Sequence, residues 1–151
     1  MRGTILVNPE KCIDCKACEE ECGRIHQESC IIVETIEELS IPVFCQHCEV
    51  PVCAIVCPTG ALKQMGMKEP VMVDDDLCVG CKSCIIVCPY GVLRLRNNHK
   101  GIIKCNLCID RLDEGKDPAC VEACPTDALL FRSYSKLASG SNPESVTGNV
   151  N

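Results

Sequence analysis

The 151-residue chain contains no tryptophan, and only two phenylalanines and two tyrosines. It therefore has no aromatic platform on which unstacked bases could rest. Its formal charge of −6 removes the attraction to phosphate that nucleic-acid binding needs, so nucleic acid is not an expected partner. No apolar run approaches the roughly 18 residues of a bilayer span, so direct membrane insertion is not expected either. Residues 1–7 lack the basic segment and long apolar stretch of a secretory leader, which points to a reducing, cytoplasmic setting. Ordinary apolar side chains are scarce as well. The hydrophobic fraction of 46% includes 17 cysteines, and without them about a third of the chain is left to build a core. Such a core is thin, so metal–ligand bonds are expected to staple the fold, and the metal-free chain is expected to be largely unfolded.

What the chain has in abundance is cysteine, and the pattern is regular. Sixteen of the seventeen fall into four groups of four. Cys12, Cys15, Cys18 and Cys22 form a CxxCxxCxxxC run, which Cys78, Cys81, Cys84 and Cys88 repeat. Cys45, Cys48, Cys53 and Cys57 widen the middle gap to four residues, and Cys105, Cys108, Cys120 and Cys124 widen it to eleven. A CxxC turn lets two sulfurs face one centre while the residues between them offer backbone N–H groups to those sulfurs. A third cysteine closes the bowl, and in two-cluster proteins the fourth reaches across to a partner cluster. In three groups the fourth cysteine precedes proline, at Pro58, Pro89 and Pro125, which is expected to stop a short helix carrying that sulfur. The expected cofactors are four 4Fe-4S clusters.

Two other uses of cysteine compete. Disulfides are disfavoured by the odd count and by the expected reducing compartment. Zinc ribbons use two CxxC pairs and stop, whereas here a third cysteine follows at once in two groups and a distant fourth is present in all.

The chain is also internally repetitive. CPTGAL at 57–62, CPYGVL at 88–93 and CPTDAL at 124–129 each lead into a short strand-like run. Apolar runs at 4–7, 42–44, 71–73 and 102–104 precede the four groups. Strand, cluster loop, short helix and strand are thus expected four times, with a β-rich connector at 31–41 and a polar tail at 133–151.

The segments FCQHCEVPVCAIVCPTGAL at 44–62 and KCNLCIDRLDEGKDPACVEACPTDALLF at 104–131 resemble the four-cluster electron-transfer subunits of multisubunit redox enzymes. The resemblance spans about residues 4–131. It implies an α+β fold of two tandem bacterial-ferredoxin-like units, one inserted in the other: an outer unit at 1–40 and 97–132, and an inner unit at 41–96. It also implies how the ligands are shared. Cluster A would use Cys12, Cys15, Cys18 and Cys124; cluster B, Cys105, Cys108, Cys120 and Cys22; cluster C, Cys45, Cys48, Cys53 and Cys88; cluster D, Cys78, Cys81, Cys84 and Cys57.

The implied role is a non-catalytic subunit relaying single electrons between a catalytic redox subunit and an acceptor or donor. Carbon monoxide dehydrogenase is the favoured partner, with hydrogenase, formate dehydrogenase or tungsten aldehyde oxidoreductase as alternatives. A second electron-transfer or flavin subunit, self-association, and a freely diffusing polyferredoxin are further readings. Four centres in file suit the size: a compact chain of this length has a radius of gyration of about 15 Å, so one buried centre cannot lie near both ends. Four oxidised cubanes of about −2 each, thiolates included, would bring the loaded protein near −14.

The remaining polar residues have plainer expectations. Cys30 is read as a small buried side chain, and His26 and His47 as surface groups or neighbours of a ligand rather than ligands. Glu19, Glu20 and Glu21 read as a solvated helix face, with Lys16 and Lys82 at equivalent places after Cys15 and Cys81. Arg94, Arg96, His99 and Lys100 read as a solvated face or docking patch.

Overall fold

The computed structural model describes residues 3–67, 69–98 and 100–135, so His99 and most of the expected tail lie outside the described residues. Among these residues eight short strands pair two by two, all antiparallel, and short helices fill the loops between them: a mixed α+β architecture. β1 (Gly3–Val7) pairs with β8 (Leu129–Ser133), tying one end of the described chain to the other. Gly3 sits opposite Ser133, where a Cβ would meet the carbonyl oxygen of Arg132 at 2.1 Å, so no side chain fits there. β2 (Ile32–Ile36) and β3 (Leu39–Val43) form the connector hairpin. Pro42 is tolerated in β3 because this sheet has only two strands, each with a free edge.

The remaining strands follow the same plan. β4 (Leu62–Gln64) pairs with β5 (Val71–Val73), and β6 (Arg94–Leu95) with β7 (Ile102–Ile103). Gly101 closes the last hairpin with φ +84, its carbonyl accepting from the Arg96 N–H at 3.2 Å. A Cβ there would stand 2.5 Å from the Asp75 carboxylate, so glycine is required twice over.

The helices carry cysteines. α1 (Ala17–His26) buries Cys18 and Cys22, four residues apart and therefore on one face. α2 (Val52–Ile55) carries Cys53, α3 (Ser83–Val87) carries Cys84, α4 (Ile109–Asp113) follows Cys108, and α5 (Ala119–Glu122) carries Cys120. α1 packs on α5 and α2 on α3. The expectation that these short helices carry the fourth cysteine is corrected. Cys57, Cys88 and Cys124 lie just beyond the helix ends, because the residue before proline is driven out of the helical region, as the extended Cys88 (φ −67, ψ 115) illustrates. The third cysteine of each group rides the helix instead.

Two apolar cores result. One gathers Ile5, Ile31, Val33, Phe44, Leu107 and Leu129 around Cys18, Cys22 and Cys120; the other gathers Leu62, Val71, Leu93 and Ile102 around Cys84. Their membership crosses the expected boundaries at 40/41 and 96/97: Phe44 packs in the first core and Ile102 in the second.

Candidate metal centres

The cysteine loops share a backbone device. The second residue after the first cysteine is left-handed in every group: Asp14 (φ 56), His47 (φ 47), Gly80 (φ 68) and Leu107 (φ 60). A left-handed residue costs a non-glycine side chain about 1–2 kcal/mol, and it turns the next amides toward the sulfurs. In the fourth group the Leu107 N–H donates to Cys105 Sγ at 3.3 Å. Lys16 (φ 58) and Lys82 (φ 66), which the sequence aligns, are left-handed too and start α1 and α3. Their equivalence is conformational.

The receiving end of the motif is equally regular. In the three CP repeats the third residue after the cysteine is left-handed: Gly60 (φ 66), Gly91 (φ 62) and Asp127 (φ 52). Burial works to raise the thiols of Cys57 and Cys124. The backbone N–H groups of Thr59, Ala61 and Leu62, and of Thr126, Ala128 and Leu129, outweigh it together with the two threonine hydroxyls, and both thiols end below their usual range. Repeated sequence has become a repeated nest of donors for an anionic sulfur.

The structure brings cysteines together from distant groups. Cys57 shares one cavity with Cys78, Cys81 and Cys84. Cys88 shares a second with Cys45, Cys48 and Cys53, and Cys22 a third with Cys105, Cys108 and Cys120. Cys12, Cys18 and Cys124 meet at the edge of the first core, with Cys15 exposed in the same loop. Burial pushes Cys18 and Cys84 up to about 11 and Cys105 up to about 12, and raises Cys120 further. These thiols are hidden from water, so an anionic form needs a positive centre beside it. All seventeen cysteines are free, and among the described residues no three His, Cys, Asp or Glu side chains converge on a point that one ion could fill. A zinc site would need its sulfurs within about 2.3 Å of one ion. Sulfurs ringing a space, with N–H donors behind them, fit an iron–sulfur cube.

Neighbouring sulfurs also link the sets. Cys18 is close enough to Cys120, Cys105 to Cys45, and Cys84 to Cys53 for each to disfavour the other's charge. The sets holding these pairs are therefore neighbours.

Several plainer expectations change on contact with the structure. Cys30 is half-buried and lines the cavity of the third set; its N–H donates to Cys22 Sγ at 3.3 Å, its thiol lies 3.7 Å from the Glu28 carbonyl, and the donors that Cys30 offers hold Cys22 below the usual thiol range. His26 reaches the same set from the other side, its Nε2 lying 3.3 Å from Cys108 Sγ. His47 accepts the Val71 N–H at Nδ1 (3.1 Å); burial first, and the Lys104 charge second, push it down to about 3, so the ring is neutral with its proton on Nε2. That Nε2 is buried without a protein partner, an orphaned donor beside Cys48.

Glu19 is not simply solvated: it accepts the Val33 N–H and ties α1 to β2. Glu21 does face solvent and pairs with Arg24 at 2.8 Å. The docking-patch expectation is corrected for two residues. Arg94 donates to the Ser29 carbonyl, and Arg96 pairs with Glu28 (3.6 Å) and Asp75 (3.3 Å), so both turn inward and clasp the segment after α1 to the β6–β7 hairpin.

Comparison with known proteins agrees with this chemistry. A family model described as a 4Fe-4S dicluster domain matches residues 36–134, and a second, described as a 4Fe-4S binding domain, matches residues 9–24. The protein belongs to the ferredoxin-type family of iron–sulfur electron-transfer subunits, and its cofactors are 4Fe-4S clusters. Among its relatives, Protein NrfC homolog of Haemophilus influenzae is 40% identical, matching 86% of this chain and 64% of that protein. A polypeptide of the anaerobic dimethyl sulfoxide reductase of Escherichia coli is 32% identical over 87% of this chain and 74% of its own length. Electron transport protein HydN of Escherichia coli is 34% identical over 91% of both. The chain thus spans slightly less than two thirds of the first of these relatives. Among the described residues no helix is long and apolar enough to cross a membrane.

Proposed function

We propose that this protein relays single electrons through four 4Fe-4S clusters between a catalytic redox subunit and a second donor or acceptor, and performs no substrate chemistry itself. The observation that carries this reading is the file of four cysteine sets, three of them ringing a cavity with sulfurs drawn from two distant groups. Cluster A is assigned to Cys12, Cys15, Cys18 and Cys124, B to Cys105, Cys108, Cys120 and Cys22, C to Cys45, Cys48, Cys53 and Cys88, and D to Cys78, Cys81, Cys84 and Cys57. The outer unit is 1–40 with 97–132 and the inner unit 41–96, interlocked through Phe44 and Ile102.

When bound, the clusters supply reversible one-electron chemistry. The chain's own residues do the rest: loop amides donate to sulfur, apolar walls exclude water, and the helix pairs α1/α5 and α2/α3 set the spacing. Every set has its full four cysteines, so no iron position is left open for a substrate.

Two partner readings have separate supports. The resemblance in 44–62 favours carbon monoxide dehydrogenase over hydrogenase, formate dehydrogenase or tungsten aldehyde oxidoreductase. The relatives' names, which include components of a dimethyl sulfoxide reductase and of a sulfite dehydrogenase, favour an enzyme acting on sulfur oxides. Anaerobic purification of the tagged protein from its own cells decides between them, with the large subunit identified by its activity. Persistent elution at monomer size would replace both readings with a diffusing polyferredoxin.

A further inference from the structure

Lys104 is 8% exposed, a rare position for an ammonium group. It stands directly before Cys105 and faces a cavity of about 150 Å³ bordered by His26, Cys30, Arg96 and Asp75. Its Nζ donates to two neutral oxygens, the carbonyls of Val71 and Cys105, the latter at 3.0 Å. Among the described residues no carboxylate lies within ion-pair distance of it; Asp75, across the same cavity, pairs with Arg96. A buried charge without a counter-charge is strongly disfavoured. The clusters supply the missing anions: Cys105, whose carbonyl Lys104 holds, lines the cavity of set B, and Val71, whose carbonyl it also holds, lines the cavity of set C. The ammonium thus ties the wall of one set to the wall of the other, at the joint between the two cores.

We propose that Lys104 is an electrostatic positioning residue for the joint, a fixed positive charge held between clusters B and C that favours an added electron on either. The step between the two units is the one place in the file where sequence-distant modules must exchange an electron. A shared cation pulls both sides of that step in the same direction and keeps them matched, while clusters A and D, farther along the file, do not feel it equally. This inference rests on the four-cluster reading.

The test is a potentiometric titration of the anaerobically purified, fully loaded protein, followed by paramagnetic resonance, on wild type, Lys104→Met, Lys104→Gln and Lys104→Arg. In the two neutral variants the ratio of reduced to oxidised form at a fixed poise is expected to fall about tenfold for two of the four couples, which is a 59 mV shift for one electron. The other two couples stay in place, and Lys104→Arg restores the wild-type values. Four unchanged couples in a neutral variant with its full iron would overturn the proposal, and so would an equal shift in all four. If the neutral variants assemble poorly, loss confined to two clusters and prevented by arginine supports it, and loss of all four overturns it. Failure of the wild type to show four couples would instead reject the four-cluster reading.

Discussion

Leu129 offers a stringent test of the packing that holds the outer centres. It is 1% exposed, stands opposite Val7 in the β1–β8 pair, and its backbone N–H serves Cys124. Leu129→Ala keeps that N–H and removes only side-chain volume. A buried Leu→Ala change costs about 2–5 kcal/mol, and about 3 is apt for a site that collapses in part. Cluster loss makes unfolding irreversible, so the observable is the rate at which visible absorption bleaches on warming. With about 30% of native contacts formed in the transition state, about 2 kcal/mol appears in the unfolding rate, roughly a thirtyfold acceleration. Met65→Ala, at an 83% exposed position, is expected to bleach within twofold of wild type. A Leu129→Ala protein bleaching as slowly as that control would refute the idea that this core protects the clusters.

Ligand sharing across groups makes a second prediction: Cys22→Ala and Cys120→Ala should abolish the same paramagnetic component and cost about four irons each, while Cys12→Ala abolishes a different one. If Cys22→Ala and Cys12→Ala proved equivalent, the sharing would be wrong. Arg94→Met leaves the Ser29 carbonyl without its charged donor, a loss of about 1–3 kcal/mol, so amide exchange in the segment 30–33 should accelerate at least about fivefold. Unaltered exchange there would show that the clasp contributes nothing.

How much is legible from sequence depends on whether the signal is local. Cysteine spacing is set by the reach of a loop around one centre, and the CP repeats encode the same nest twice over at Cys57 and Cys124, so the four cysteine groups can be read from the sequence, while the sharing of ligands between groups is what the family resemblance implies. The left-handed turns are visible only at Gly80, Gly60 and Gly91; His47 and Leu107 adopt the same conformation without any compositional sign, because the loop imposes it. Arg94 and Arg96 look like surface charges, and Lys104 like the polar end of an apolar run, since nothing in their neighbourhood along the chain announces the distant partners that hold them. Their acceptors, Val71, Ser29, Glu28 and Asp75, are 21 to 68 positions away. Phe44 and Ile102 cross between units for the same reason: a strand leading into a cysteine loop takes its floor from the neighbouring module.

Iron and acid-labile sulfide analysis of protein purified without oxygen, followed by low-temperature paramagnetic resonance after dithionite, tests the central claim most directly. Sixteen cysteines in four complete sets predict close to sixteen irons and sixteen sulfides per chain, with overlapping signals from reduced clusters that interact. Markedly fewer irons in protein that retains its fold, or zinc at the thiols and no signal on reduction, would contradict it.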